Sequence, residues 1–382
     1  MSTIKNAKYV INDLKKKGFE AYIVGGAVRD HILRIPLTDI DITTNAKPHE
    51  VSKIFKTKPT GVKYGTVTVL MNDETYEVTT YRIDGEYQDG RHPDNVTFSE
   101  TVLEDVKRRD FTINGLLMDE KNEIYDYVGG KNDINAKIIR TIGDPVERFN
   151  EDALRMMRAF YFQSKLGFQI EAATRDAIYE SRYRLKDVAM ERILNELIKI
   201  LQGTHVKRAI QSIVTTKVHE VLPGLEKGFL YTQKLDEMPY VDAFFALSFT
   251  LNGSVPAEWT FSNKHKHRYE VASMLAKKHQ NFDAYTLYTY GIDLCLLANR
   301  VNFMLGKSKN LKTKIEKDYE NLPILSDLDL KLRATEIMKL TNKKAGSWLK
   351  NIQTEMVIEV LNRRLKNEKS ALEAYVLEHV KE

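Results

Sequence analysis

Hydrophobic and polar positions change their rhythm once along this chain. Residues Ile4 to Lys17 carry apolar side chains near helical spacing and stop at Gly18, which predicts an amphipathic helix. From Ala21 to about Asp126 the period shortens. Ala21-Tyr22-Ile23-Val24 reads as a short strand running into Gly25-Gly26, residues 38–43 and 66–70 alternate polar and apolar side chains, and 76–81 follows an Asn72-Asp73 turn. With a second helix over Pro48–Phe55, residues 1 to about 139 predict an α/β or α+β head built on a mixed sheet. Beyond Gly143-Asp144-Pro145 the pattern is almost entirely 3.6-residue. It predicts helices over 151–166, 171–180, 189–201, 205–215, 241–251, 269–278, 284–305, 328–339, 345–368 and 371–380. No fixed-period repeat or low-complexity linker separates them, so these helices are expected to pack continuously.

Composition narrows the class. At 382 residues the chain exceeds what one hydrophobic core usually organises, and 42% hydrophobic with 29% charged residues is ordinary for a folded protein. Disordered, collagen-like and disulfide-scaffold classes are excluded. Cys295 stands alone, and no Cys/His cluster has zinc spacing, which fits a reducing compartment and predicts a cytoplasmic location. The first residues lack a signal-peptide apolar core, and the most apolar later stretch, Val241 to Leu251, is interrupted by Asp242 and too short to span a bilayer. No membrane role is expected. The net charge of +5 is unevenly spread, with −2 over residues 1–150 and +7 over 151–382. An acidic part that holds metal and a basic part that meets a polyanion would account for this, as would ordinary variation between solvated surfaces.

Three clusters carry chemistry. The first is Val24-Gly25-Gly26-Ala27-Val28-Arg29-Asp30, followed by Asp39-Ile40-Asp41. Two glycines after a strand let backbone approach a triphosphate, a helix starting there offers free N–H groups, and Arg29 adds charge. Residues i and i+2 of a strand share a face, so Asp39 and Asp41 converge and invite a divalent cation; hard oxygen donors suit magnesium. Glu77, on another β-type segment, is a candidate third ligand. A solvated strand edge is the other reading of such a pair. Neither a P-loop nor a GxGxxG is present, so a polymerase-type metal site fits better than a kinase-type or Rossmann one. The second cluster is Arg108-Arg109-Asp110-Phe111-Thr112-Ile113-Asn114, where arginines could clamp phosphate and Asp110 could accept from a ribose hydroxyl, unless the run is a surface ion-pair series. The third places Asp152 and Arg155 three apart on a predicted helix, with Arg158 beyond. They form either an intrahelical salt bridge or an acceptor beside a donor, which would select cytosine and adenine together.

Taken together, VGGAVRD with DID, TTYRIDGEYQDGRHPDNVTF, RRDFTIN and GDPVERFNEDALRMMRA resemble the class II tRNA nucleotidyltransferases, specifically the short bacterial CCA-adding type. The motifs cover residues 21 to 162; the helical remainder agrees in class and length. The resemblance implies an α+β nucleotidyltransferase head over 1–139, then an all-α neck over 140–209 that recognises the base, a body over 210–303 and a tRNA-binding tail over 304–382. It implies addition of C, C and A to tRNA 3′ ends from CTP and ATP, with Mg2+ on Asp39 and Asp41, triphosphate contacts at Gly26 and Arg29, a ribose and phosphate motif at Arg109 and Asp110, base reading by Asp152 and Arg155, and a further nucleotide contact at Arg158. Three positions depart from the family pattern: Tyr161 where another arginine is common, Gly115 where alanine usually follows the asparagine, and Arg34-Ile35 where a glycine is usual before the DxD. The last two predict an altered local backbone.

The glycine-bearing segment from Asp84 to Asp94 reads as a lever near the site or as a plain surface loop, and its presence favours full CCA or A addition over CC addition. Arg300, Lys307, Lys309, Lys312, Lys314 and Lys317 read as a tRNA backbone contact or as a solvated helix face. None of the nine histidines is followed by Asp, so an HD phosphohydrolase activity is not expected. The competing enzyme readings are an A-adding relative and a bacterial poly(A) polymerase. The non-enzyme reading is an inactive RNA-binding protein, which would be expected to lose a metal carboxylate or the base-reading pair. The oligomeric state is open, a homodimer included.

Overall fold

The computed structural model describes residues 3–37, 39–84, 96–279 and 281–380. The chain divides into two compact units, Met1–Lys234 with Ala257–Thr260, and Leu235–Pro256 with Phe261–Glu382. The segment read as a lever lies, from residue 85 on, outside the described residues.

The first unit opens with helix α1 (Ile4–Lys16), which buries Ala7, Val10, Ile11 and Leu14, one stripe at helical spacing. Strand β1 (Ala21–Val24), helix α2 (Gly26–Ile32), strand β2 (Asp41–Thr44) and helix α3 (Pro48–Ile54) follow, then strands β3 (Thr57–Gly61), β4 (Thr66–Met71) and β5 (Glu74–Thr80). A separate hairpin pairs β6 (Arg82–Asp84) with β7 (Val96–Phe98). After α4 (Val102–Lys107) the chain returns to the main sheet through β8 (Leu116–Met118) and β9 (Ile124–Asp126). The seven strands lie in the order β3-β4-β5-β2-β1-β8-β9. Only the β2–β5 pair is parallel, so the expected mixed sheet is present. Strands β3, β8 and β9 are not predicted by alternation. β3 is Thr-Lys-Pro-Thr-Gly at an edge, and β8 is Leu-Leu-Met, buried throughout and so without a polar face to show.

Helices α5 (Gly130–Ala136), α6 (Pro145–Glu151), α7 (Leu154–Leu166), α8 (Ala172–Ser181), α9 (Met190–Leu201), α10 (Val206–Thr215) and α11 (Glu226–Thr232) complete this unit, with short strands β10 (Ile138–Ile139) and β11 (Gln169–Ile170) pairing in parallel. The helix expected over 151–166 is not continuous. Asp152 is extended at φ −142° and ψ 102°, which ends the first helix, and its Oδ1 accepts from the N–H of Leu154, the first residue of the next, at 3.0 Å. Hydrophobic periodicity does not register this break, because the apolar face resumes after it.

The second unit is helical: α12 (Val241–Asn252), α13 (Asn263–Lys278), α14 (Ala284–Met304), α15 (Lys312–Glu320), α16 (Ala334–Thr341), α17 (Ser347–Leu361) and α18 (Lys369–His379). Gly291, at φ +74°, kinks α14. The run expected as one helix over 345–368 ends at Leu361, and the chain turns through Arg363 at φ +60° before α18. Ile337, Met356, Val360, Leu372 and Val376 form the core that α16, α17 and α18 share. Cys295 is buried, and that burial with Asp283 nearby pushes its thiol up to about 12, which makes it an inert core residue. Among the described residues no helix is long and apolar enough to cross a membrane.

Candidate active site

The register of the sheet assembles the first cluster. Val24, the last residue of β1, pairs with Asp41, the first of β2, and Asp41 pairs with Glu77 on β5. The turn at Gly25-Gly26 therefore leaves the sheet beside Asp41. Gly25 sits at φ +73° and ψ −133°, which a side chain would strain, and a Cβ there would stand 3.3 Å from Arg109 Nη1. Gly26 begins α2, whose seven residues give a short dipole, so the free backbone N–H groups matter more than the helix as a whole.

Asp39 precedes the strand rather than lying in it, and both Asp39 and Asp41 are exposed. The protein packed around Asp41, then the carboxylates of Glu77 and Asp39, push its pKa up, while Arg109 pulls it down. A carboxylate held against its own charge by two others is what a divalent cation relieves, and the donors are hard oxygens, so the residues fit magnesium chemistry. Among the described residues no group of three or more His, Cys, Asp or Glu side chains is clustered for metal binding. Glu77 thus acts on Asp41 through charge, and the sequence-based expectation of a third ligand rests on no preformed cage.

Arg109 is positioned by Asp105, a fully buried carboxylate on α4 that binds Arg109 Nη2 at 3.0 Å, Arg108 at 2.7 Å and the Thr43 hydroxyl at 3.1 Å. Burial opposes its charge, but Arg109 and Arg108 more than offset this and hold its pKa below the usual carboxylate range. Asp105 was not singled out from the sequence. Its signal there is spacing alone, i, i+3 and i, i+4 to the two arginines on a short helix.

Arg29 and Asp110 are both engaged with protein partners. Arg29 is 2% exposed; its guanidinium binds Asn114 Oδ1 at 2.6 Å and Asp30 at 2.7 Å and lies 5.0 Å from the Phe162 ring centroid. It fastens α2 to the Asp110–Asn114 motif, so a triphosphate would have to displace these partners to reach it. Asp110 accepts from the Phe111 N–H, Asn114 Nδ2 and Arg158 Nε at 2.7–2.9 Å. Burial raises its pKa, but Arg158 and Asn114 outweigh that and keep it low. Arg158 lies 5.3 Å from Phe162 as well, so Phe162 carries both arginines. The chain of contacts continues through Asp30 to Lys165 at 3.0 Å.

The side chains of Asp152 and Arg155 do not pair; the contact between the two residues is the Arg155 N–H to Asp152 carbonyl bond at 3.0 Å, so of the two readings the intrahelical salt bridge is not formed and each side chain has other partners. Asp152 Oδ2 pairs with Arg192 at 2.9 Å. Arg155, 7% exposed, binds Glu151 at 2.5 Å and the carbonyls of Arg148 and Arg108 at 3.1 Å. Arg192, forty residues away on α9, was not legible in any motif. The departures from the family pattern are also resolved. An alanine Cβ at Gly115 would stand 2.7 Å from Val128 Cγ2, so glycine there is matched to Val128. Arg34 adopts φ +57°, in the left-handed region that favours glycine, so the residue is strained there. Lys199 Nζ stands 5.7 Å from the Tyr161 ring, which places a cation near that position by another route.

The basic run in the second unit is mixed. Arg300 is paired with Glu237 at 3.0 Å, Lys312 with Glu316 at 3.8 Å and Lys314 with Asp318 at 2.6 Å. Lys307, Lys309 and Lys317 are exposed and make no ion pair among the described residues.

The mixed sheet with a glycine turn and paired aspartates at one end defines a nucleotidyltransferase. Residues 21–140 match the family described as the Poly A polymerase head domain, 167–229 the probable RNA and SrmB-binding site of polymerase A, and 242–376 the putative tRNA nucleotidyltransferase domain 2. The chain is 38% identical to the CCA-adding enzyme of Bacillus cytotoxicus over 99% of both chains, and 38% identical to that of Anoxybacillus flavithermus over 98% of this chain and 96% of the other. The CCA-adding enzyme of Bacillus stearothermophilus in complex with CTP superposes with a TM-score of 0.84 at 31% identity, covering 99% of this chain and 98% of that one. The chain belongs to the CCA-adding enzyme family.

Proposed function

We propose that this protein builds and repairs the 3′-terminal CCA of tRNA in the cytoplasm, adding C, C and A from CTP and ATP without a nucleic-acid template and releasing pyrophosphate. The observation that carries this reading is the match, over nearly the whole length of both chains, to a CCA-adding enzyme in complex with CTP.

Asp39 and Asp41 would hold magnesium, which when bound supplies Lewis-acid activation of the tRNA 3′-hydroxyl and charge compensation at the leaving pyrophosphate. The remaining work falls to the chain. Gly25 and Gly26 let the backbone come close to the phosphates, and Arg109, kept against Gly25 by Asp105, sets a fixed positive charge there. Asp152 offers an acceptor and Arg155 a donor to the base edge, each exchanging a current partner for the nucleotide. No protein nucleophile is needed. Lys307, Lys309 and Lys317 would meet the tRNA backbone.

The test is incubation with tRNA lacking its CCA end, labelled CTP and ATP, and magnesium. Products extended by C, C and A support the reading; A alone, a long poly(A) tract or no incorporation overturns it.

A further inference from the structure

An aromatic and cationic patch in the first unit is used by none of the chemistry above. Tyr179, near the end of α8, and Tyr183, in the turn that follows, are 41% and 54% exposed. Between them lies Arg182, itself only 8% exposed, with its guanidinium carbon 4.4 Å from the Tyr179 centroid and 4.2 Å from the Tyr183 centroid. Its Nη2 donates to the Tyr183 hydroxyl at 3.0 Å and its Nη1 to the Tyr179 carbonyl. The two rings are thus held by a buried side chain while their outer surfaces remain in water.

Two more cations complete the patch. Lys186 Nζ is 5.5 Å from the Tyr183 centroid and Lys217 Nζ is 5.7 Å from the Tyr179 centroid, and neither lysine is in an ion pair among the described residues. Arg182 also lies 4.0 Å from the Glu220 carboxylate. Arg184, in the same turn, donates to the Asn150 carbonyl at 3.3 Å, which ties the patch to the end of α6, two residues before Asp152. Exposed rings with lysine ammonium groups within about 6 Å of their centroids match an unpaired polynucleotide strand, whose bases would exchange with the mobile lysines at the ring face. Each base supplies a π-face to stack, and the backbone supplies negative charge for the lysines. Interior bases of a duplex are already stacked on both faces and would gain nothing here, and a blunt end offers only its terminal pair.

We propose that Tyr179 and Tyr183 form a stacking platform for the unpaired 3′ end of the tRNA, with Lys186 and Lys217 holding its phosphates. This rests on the function proposed above and adds a positioning role for residues outside the nucleotide site.

The test compares binding, without nucleotides, of tRNA ending in an unpaired 3′ CC and of the same tRNA trimmed to a blunt acceptor stem. Tyr183→Ala and Tyr179→Ala should each weaken the tailed tRNA about tenfold, toward the lower part of the range for loss of one base–aromatic stack, and leave the blunt form within about twofold. Tyr183→Phe, which keeps the π-face, should bind as the parent does. Should alanine loosen the turn, as a thermal melt would report, Tyr183→Leu covers Arg182 without offering an aromatic face and should reproduce the selective loss. Equal losses on both RNAs, no loss on either, or a Phe variant as weak as Ala would overturn the platform, as would a patch that binds protein partners while tailed tRNA affinity is unchanged. A parent protein that adds no nucleotides to tRNA refutes the proposed function instead, so the two failures are distinguishable.

Discussion

Asp105→Asn tests whether the phosphate-side arginine is held in place by a buried carboxylate. The substitution keeps the shape of the side chain and removes its charge, leaving Arg108 and Arg109 facing an amide. Loss of one member of a buried ion pair costs about 3–5 kcal/mol where the remaining charge is sealed from water. Here each arginine side chain is 18% exposed, so partial hydration lowers the expected cost to about 2–3 kcal/mol. The pH dependence has a definite sign. The folded pKa of Asp105 is below its unfolded value, so its contribution is complete above the unfolded value of about 4 and is lost as pH falls through the lowered folded one. The deficit of the variant should therefore be constant at neutral pH and shrink only below about pH 4. Arg109, no longer held against Gly25, should raise KM for CTP and ATP about tenfold, equivalent to about 1.4 kcal/mol. Urea unfolding at pH 7 and at pH 3.5, with initial rates against nucleotide concentration, provides the readouts. A stability loss under about 0.5 kcal/mol at pH 7, or an unchanged KM, would refute the reasoning.

Asp41→Asn should abolish incorporation of both nucleotides while leaving urea stability equal or slightly raised, since the raised pKa shows that the fold disfavours the charge; Asp39→Ala should likewise lose incorporation with tRNA binding intact. Arg155→Ala should weaken discrimination among CTP, ATP, UTP and GTP by about 1–3 kcal/mol, read from relative incorporation, whereas an unaltered preference would make Arg155 purely structural. Gly203→Ala would place a Cβ 2.1 Å from Ser164 Oγ and 2.7 Å from the Ser164 backbone, so a loss of about 2–3 kcal/mol is expected in urea unfolding. Replacing Lys307, Lys309 and Lys317 together by alanine should flatten the salt dependence of tRNA binding by about 2 in log–log slope, measured by titration across ionic strength.

What could be read from the sequence follows from where each signal resides. Local chemistry was visible: the α1 stripe, the β1 run into Gly25-Gly26, and the alternation of β4 and β5 each depend on neighbours in sequence. Asp39 and Asp41 were singled out as i and i+2 of one strand, whereas the strand begins only at Asp41 and Asp39 precedes it. Partner choice was hidden. Nothing near Asp152 points to Arg192, nothing near Arg29 points to Asn114 or Phe162, and Arg300 reads as part of a basic run until Glu237 is found beside it. Gly115 likewise looks like an unforced change until Val128 fills the space its side chain would occupy.

The break between α6 and α7 is where these hidden partners bear most on function. In one continuous helix, Asp152 and Arg155 would lie three residues apart on a common face and would satisfy each other. A pair neutralised in that way presents neither a free acceptor nor a free donor to a base. With Asp152 extended, its carboxylate divides between the Leu154 N–H and Arg192, and Arg155 turns to Glu151 and two backbone carbonyls. Neither side chain is then the other's partner. Each holds contacts with groups that can be exchanged singly, and Arg155 keeps its two carbonyl contacts when Glu151 is released. A local interruption at one extended aspartate thus leaves the two side chains with separate partners, which is the arrangement the proposed base reading requires.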